Sequence, residues 1–182
     1  MKPRTLLVLL FLLLVCLGLV GVFRFGVFCS KPAELRSCAI FTKPIDNPAT
    51  LIIRDRSGAE LAFHRRAGTW LMDRPALARA RQDRLERIVG MMQSLEFSRS
   101  FQPGDDTPSD AATGLAKPIW TVVLAGPTGK TNMLHVGAAT PKLGSSESET
   151  FVRPAGTKKT FIVRQDLPAM LLGGAEDYRE NK

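Results

Sequence analysis

The chain has 182 residues, 45% of them hydrophobic, and a formal net charge of +8, which suffices for one domain with a sizeable core or two very small ones. Lys2, Arg4 and Arg24 account for three of the charges and leave +5 after Phe28; that surplus suits a domain beside an anionic membrane surface and does not call for nucleic acid. Three cysteines and two histidines without paired ligand spacing exclude an ordinary zinc module.

The run from Leu6 to Phe23 reads LLVLLFLLLVCLGLVGVF, without a charge or a proline. As helix at ~1.5 Å per residue it would approach the ~30 Å hydrocarbon thickness of a bilayer. Phe25, Val27 and Phe28 extend it past Arg24, whose stem can snorkel to the interface. A cleaved signal peptide would have a shorter apolar core and a small-x-small site, and Arg24-Phe25-Gly26-Val27-Phe28 offers none. A lipidated cysteine would follow a small residue, whereas Leu14 and Val15 precede Cys16. A soluble helix would show a polar face. The expectation is an uncleaved single-pass anchor that binds the lipid bilayer through Leu6 to Phe23.

Lys2 and Arg4, with no acid beside them, favour a cytoplasmic N-terminus and a C-terminal part outside the cytoplasm. Arg24, Lys31 and Arg36 weaken that asymmetry. Beyond the anchor, Cys29 and Cys38 could close a loop of about ten residues, worth on the order of 2.7 kcal/mol in the chain-entropy model. Two free thiols are the competing reading.

Residues 29–49 contain Pro32, Pro44 and Pro48 and no clear apolar period, so they read as a juxtamembrane linker. Residues 1–28 then form the cytoplasmic tip and anchor, and 50–182 the folded domain. Strands are predicted over 51–54, 60–65 and 69–72, joined by Asp55-Arg56-Ser57-Gly58 and by Ala67-Gly68. Short turns between successive strands imply an antiparallel meander.

Over residues 78–97 the period changes. Leu85, Ile88, Val89, Met92 and Leu95 recur at helical spacing and define one buried stripe. This helix is expected to pack across the meander, with Trp70 against Leu85, Ile88 or Val89. Gly90 costs the helix about 1 kcal/mol relative to alanine and would allow a strand to approach closely. Arg65, Arg66, Arg81, Arg84 and Arg87 make a basic concentration. It is either a contact for an anionic partner, lipid or protein, or a solvated face paired locally with Asp83 and Glu86.

Residues 98–117 read as a polar, solvated loop; the acids there do not follow the spacing of a calcium-binding loop. Strands are predicted over 119–124 and 131–136, and around Phe151-Val152-Arg153 and 160–164, with a serine-rich loop over 140–148. Asp166 suits an N-cap, with Pro168 in the first turn of a short helix ending near Gly173-Gly174. The expected fold is α+β: an N-terminal transmembrane helix, then β-β-β-α-β-β-β-β-α with antiparallel meanders and a packed helix.

In their order, Gly68-Thr69-Trp70-Leu71, Arg74-Pro75-Ala76, Gly114-Leu115-Ala116-Lys117-Pro118, Gly129-Lys130, His135-Val136-Gly137, Phe151-Val152-Arg153 and Phe161-Ile162-Val163 resemble the bacterial domain-of-unknown-function family 4340, over roughly residues 50–180. The resemblance implies a membrane-anchored, extracytoplasmic domain, here in a single copy, linked to ABC-type transport or gliding components. It carries over no catalytic residue.

Gly126-Pro127-Thr128-Gly129-Lys130-Thr131 invites comparison with a phosphate-binding loop, but Leu124 stands where that motif needs glycine and a strand follows. His64 and His135 alternate with apolar neighbours and point away from the core; no G-x-S-x-G accompanies them. No catalytic residue, metal or cofactor is therefore assigned. The expected function is a membrane-tethered interaction module in the bacterial inner membrane, with a membrane or envelope protein as partner. The alternative is a small-ligand receptor or enzyme whose pocket one sequence does not reveal.

Overall fold

A computed structural model describes residues 38–103, 108–141 and 148–180. The described part forms one compact unit beginning at Cys38. Its strands are β1 (Thr50–Asp55), β2 (Glu60–Arg66), β3 (Thr69–Arg74), β4 (Ala78–Arg79), β5 (Arg99–Phe101), β6 (Trp120–Ala125), β7 (Thr131–Pro141), β8 (Ser148–Pro154) and β9 (Thr160–Val163). Helix α1 spans Gln82–Ser94, α2 spans Leu167–Leu171, and a 3-10 turn covers Ala175–Tyr178. Among the described residues no helix is long and apolar enough to cross a membrane. The run from Leu6 to Phe23 lies outside them.

The α+β expectation is corrected to a mostly-β fold, and the transmembrane helix expected before it has no counterpart among the described residues. All nine strands join one antiparallel sheet in the order β4-β3-β2-β1-β6-β7-β8-β9-β5. The two expected meanders are continuous because β1 pairs with both β2 and β6, Leu51 standing opposite Phe63 on one side and Leu124 on the other. Two short strands, β4 and β5, close the ends. Only α1 and α2 interrupt the β structure among the described residues.

Alternation places the core. Leu51 and Ile53, Phe63, Trp70 and Met72, Val122 and Leu124, Leu134 and Val136, and Val152 are all fully or almost fully buried. The stripe Leu85, Ile88, Val89, Met92 of α1 closes on them, as do Leu167 and Leu171 of α2 and Tyr178. The β2–β3 turn has positive φ at both Ala67 and Gly68, the geometry that suits the right-handed twist of a hairpin. Beside it, Gln82 clamps the strand: its Oε1 accepts from the Trp70 N–H at 2.7 Å and its Nε2 donates to the Trp70 carbonyl at 2.9 Å. The start of α1 is thereby fixed over β3.

Three further expectations are revised. Residues 38–48 are part of the fold and not a linker: Cys38, Ile40 and Ile45 are buried, the Ile40 N–H donates to Leu95 and the Phe97 N–H to Cys38. The helix is shorter than 78–97, because residues 78–79 form β4 and 95–97 pair with 38–40. Gly90 faces open space, with nothing within 4 Å of where a Cβ would stand, so no strand approaches it.

The edge of β4 is not left bare. The Arg81 N–H donates to Tyr178 and the Glu180 N–H to Arg79, so the segment after the 3-10 turn lies along it. Covering an edge in this way removes a template for intermolecular pairing.

Candidate functional site

Two clusters of polar side chains lie on opposite faces of the sheet. The first is a groove of about 300 Å³ between α1 and α2, lined by Arg81, Asp83, Arg84, Arg87, Ile88, Ala169 and Met170. Helical spacing explains it: positions three and four apart share a face, so the three arginines line one wall above the buried Ile88. Asp166 caps α2, its Oδ1 accepting from the Ala169 N–H at 3.0 Å, and Leu167 and Leu171 bury the helix's other side. Ala169 and Met170 are left facing the arginines.

The three arginines are not equivalent. Arg84 is held: an Nη donates to the Leu172 carbonyl at 2.5 Å, and its guanidinium lies 4.1 Å from the centre of the Tyr178 ring. It thus satisfies a carbonyl at the end of α2. Burial pushes the Tyr178 hydroxyl above its ordinary value, and the charge of Arg84 opposes that shift. The Tyr178 hydroxyl donates to the Leu171 carbonyl. Arg81 reaches Asp83 at 3.6 Å. The Arg87 side chain is exposed and makes no hydrogen bond or ion pair among the described residues.

The other two arginines stand apart. Arg65 lies 2.9 Å from Glu86, its guanidinium 5.7 Å from the Trp70 ring centre, and the indole N–H donates to the same Glu86 oxygen at 3.1 Å. Arg66 ends β2 and is exposed. Cys38 is disulfide-bonded; Cys29 lies outside the described residues.

The second cluster was not legible before the register was known. His135 on β7 is flanked by Thr121 of β6 and Arg153 of β8, and its Nδ1 lies 3.3 Å from the Thr121 hydroxyl. Arg153 donates through both terminal nitrogens to Asp110, and one of them also reaches the Thr160 hydroxyl at 2.8 Å. His135 and Arg153 border a cleft of about 350 Å³ walled by Leu115, Pro118 and residues 154–157. Burial first, and then the Arg153 charge, hold the His135 imidazole below its ordinary range. Hydrogen bonds from Arg153 hold the Asp110 carboxyl low, and that carboxylate raises Arg153 in return.

Chemically, this second cluster is a tie. A bidentate guanidinium–carboxylate pair is a strong, directional fastening, and it lashes the 108–118 segment to β8. His64, the other histidine, has Nδ1 2.7 Å from Asp73 Oδ1, without the angles of a hydrogen bond. Among the described residues no three His, Cys, Asp or Glu side chains gather as metal ligands.

No family model matches the chain, and no curated protein or solved structure matches it.

Proposed function

We propose that the chain is a membrane-tethered accessory module of a bacterial envelope assembly, held by the apolar run from Leu6 to Phe23, with its folded unit outside the cytoplasm and a protein partner docked at the α1–α2 groove. The observation that carries this reading is the groove itself. Three arginines line one recess with a single carboxylate among them, a surplus of charge beside an apolar floor, which is the composition of a docking surface more than of a solvated helix face. A Cys29–Cys38 pair would suit the same oxidising compartment.

Photocrosslinking from position 170 of the full chain in its native membrane tests the proposal. A defined membrane or envelope protein should be captured, and the capture should fall when Arg81 and Arg87 are changed to glutamine. Recovery of the chain without a partner would count against it. A phosphatase fused after Lys182 should be active, and inactivity would overturn the topology.

A small-ligand receptor is the second reading. It draws on the His135–Arg153 cleft, where an imidazole and a guanidinium border a concavity. A ligand that raises the melting temperature of the parent and not of His135→Ala would favour it.

A further inference from the structure

We infer that the α1–α2 groove binds a short acidic segment of a partner protein, its carboxylate set between Arg81 and Arg87 and an apolar neighbour laid on Ala169 and Met170. This deepens the docking-module reading and rests on it.

Charge decides the sign of the occupant. Arg81, Arg84 and Arg87 face Asp83 alone within the lining, with Glu180 in the adjoining recess beside Arg81 and Asp177 near Arg84, so the groove itself carries a surplus of guanidinium charge that is greatest at Arg87. Arg84 is already engaged by the Leu172 carbonyl and the Tyr178 ring, which makes it a fixed post. Arg81 has only the 3.6 Å approach to Asp83, and Arg87 has no partner among the described residues. The forks free to close on a carboxylate are therefore those of Arg81 and Arg87, whose planar geometry matches it.

Shape and the apolar wall decide the class. The arginines sit in a recess between two helices, and a projecting side chain enters a recess more readily than a flat sheet of headgroups does. Ala169 and Met170 form the opposite wall, and Leu172 at the end of α2 is 69% exposed. Methionine adapts to varied apolar side chains, so the wall favours a segment in which acidic and apolar residues alternate.

The test uses the full chain in phosphatidylcholine nanodiscs. The probe is a fluorescein-labelled peptide of alternating glutamate and leucine, with a glutamine-for-glutamate counterpart as control. The glutamate peptide should bind about tenfold more tightly than the glutamine peptide. Arg87→Gln and Arg81→Gln should each erase most of that advantage without altering the melting temperature. Met170→Ser should weaken both peptides, and Arg66→Gln, outside the groove, should change neither. Equal affinity for the two peptides, absence of binding, or an advantage that survives both arginine changes would overturn the inference. So would loss of peptide binding in phosphatidylglycerol nanodiscs, which would assign the groove to lipid headgroups. Photocrosslinking to a protein partner together with peptide failure would sink this inference alone; failure of the crosslink would sink the docking reading.

Discussion

The carbonyl oxygen of Thr113 occupies the space that a side chain on residue 137 would need. A Cβ built on Gly137 falls well inside 3.0 Å of that oxygen, because the same carbonyl accepts from the Ala138 N–H at 2.8 Å. A bulge between Val136 and Ala139 leaves that N–H turned from β8 and free for the loop. Gly137→Ala should therefore lower stability by about 3 kcal/mol or more, at or above the upper end of the range for overpacked sites, because the clash is with backbone. Chemical denaturation followed by circular dichroism measures it, and an unchanged midpoint would refute the contact.

Gly90 is the opposite case. It is an exposed helical position with open space around its missing side chain. Gly90→Ala should raise stability by about 0.5–1 kcal/mol through helix propensity. A loss of stability would mean that something does pack there.

Trp70 is fully buried and hydrogen-bonds Glu86 across to α1. Trp70→Ala should cost about 3–5 kcal/mol. Glu86→Gln, which keeps an acceptor for the indole and loses a half-exposed ion pair with Arg65, should cost about 0.5 kcal/mol. His64→Ala should be similarly mild, since its nearest charge is the half-exposed Asp73. A shortened fragment for such work must retain Cys38 and Ile40, which belong to the core side of the fold. A His64→Ala loss exceeding that of Trp70→Ala would invalidate the core assignment.

Stability should fall on the acid side in two stages. His135 is depressed from 6.5 by burial and then by Arg153; its contribution is complete above the unfolded value and is lost as pH falls through the folded one. Asp110 is depressed from 3.8 by Arg153, so its contribution persists to lower pH and is lost through its own folded value. His135→Gln should flatten the dependence of the urea midpoint as pH falls from neutral through the mildly acid window below the unfolded imidazole's range and leave the deeper loss in place. An unaltered profile in that window would exclude His135 as its source.

Much of the secondary structure was legible in the sequence. Alternation marked most core strands, helical spacing marked the middle of α1, and Asp166 with Pro168 marked α2. The misses have physical causes. β4 and β5 span two and three residues, too few to display a period. The single sheet depends on β1 meeting β6, a pairing that neither strand's pattern specifies. Residues 108–118 show no period, being mostly proline, alanine and glycine with Leu115 as their one large apolar side chain, yet Thr113 and Leu115 are buried and Asp110 is tied to Arg153. The groove was half visible: spacing put Arg81, Arg84 and Arg87 together, while Ala169 and Met170 join them only through the tertiary fold.

The central position of β1 has a kinetic meaning. Its partnership with β2 closes locally, but its other edge waits for β6, with Thr50 opposite Ala125 and Asp55 opposite Trp120. During synthesis the first hairpins and α1 are complete while that edge still has no neighbour. Such distant pairings slow folding and leave strand edges open to other chains in the interval. The middle of the finished sheet is thus a seam that stays open after its first hairpins are made, and a stretch in need of protection while the chain is half made.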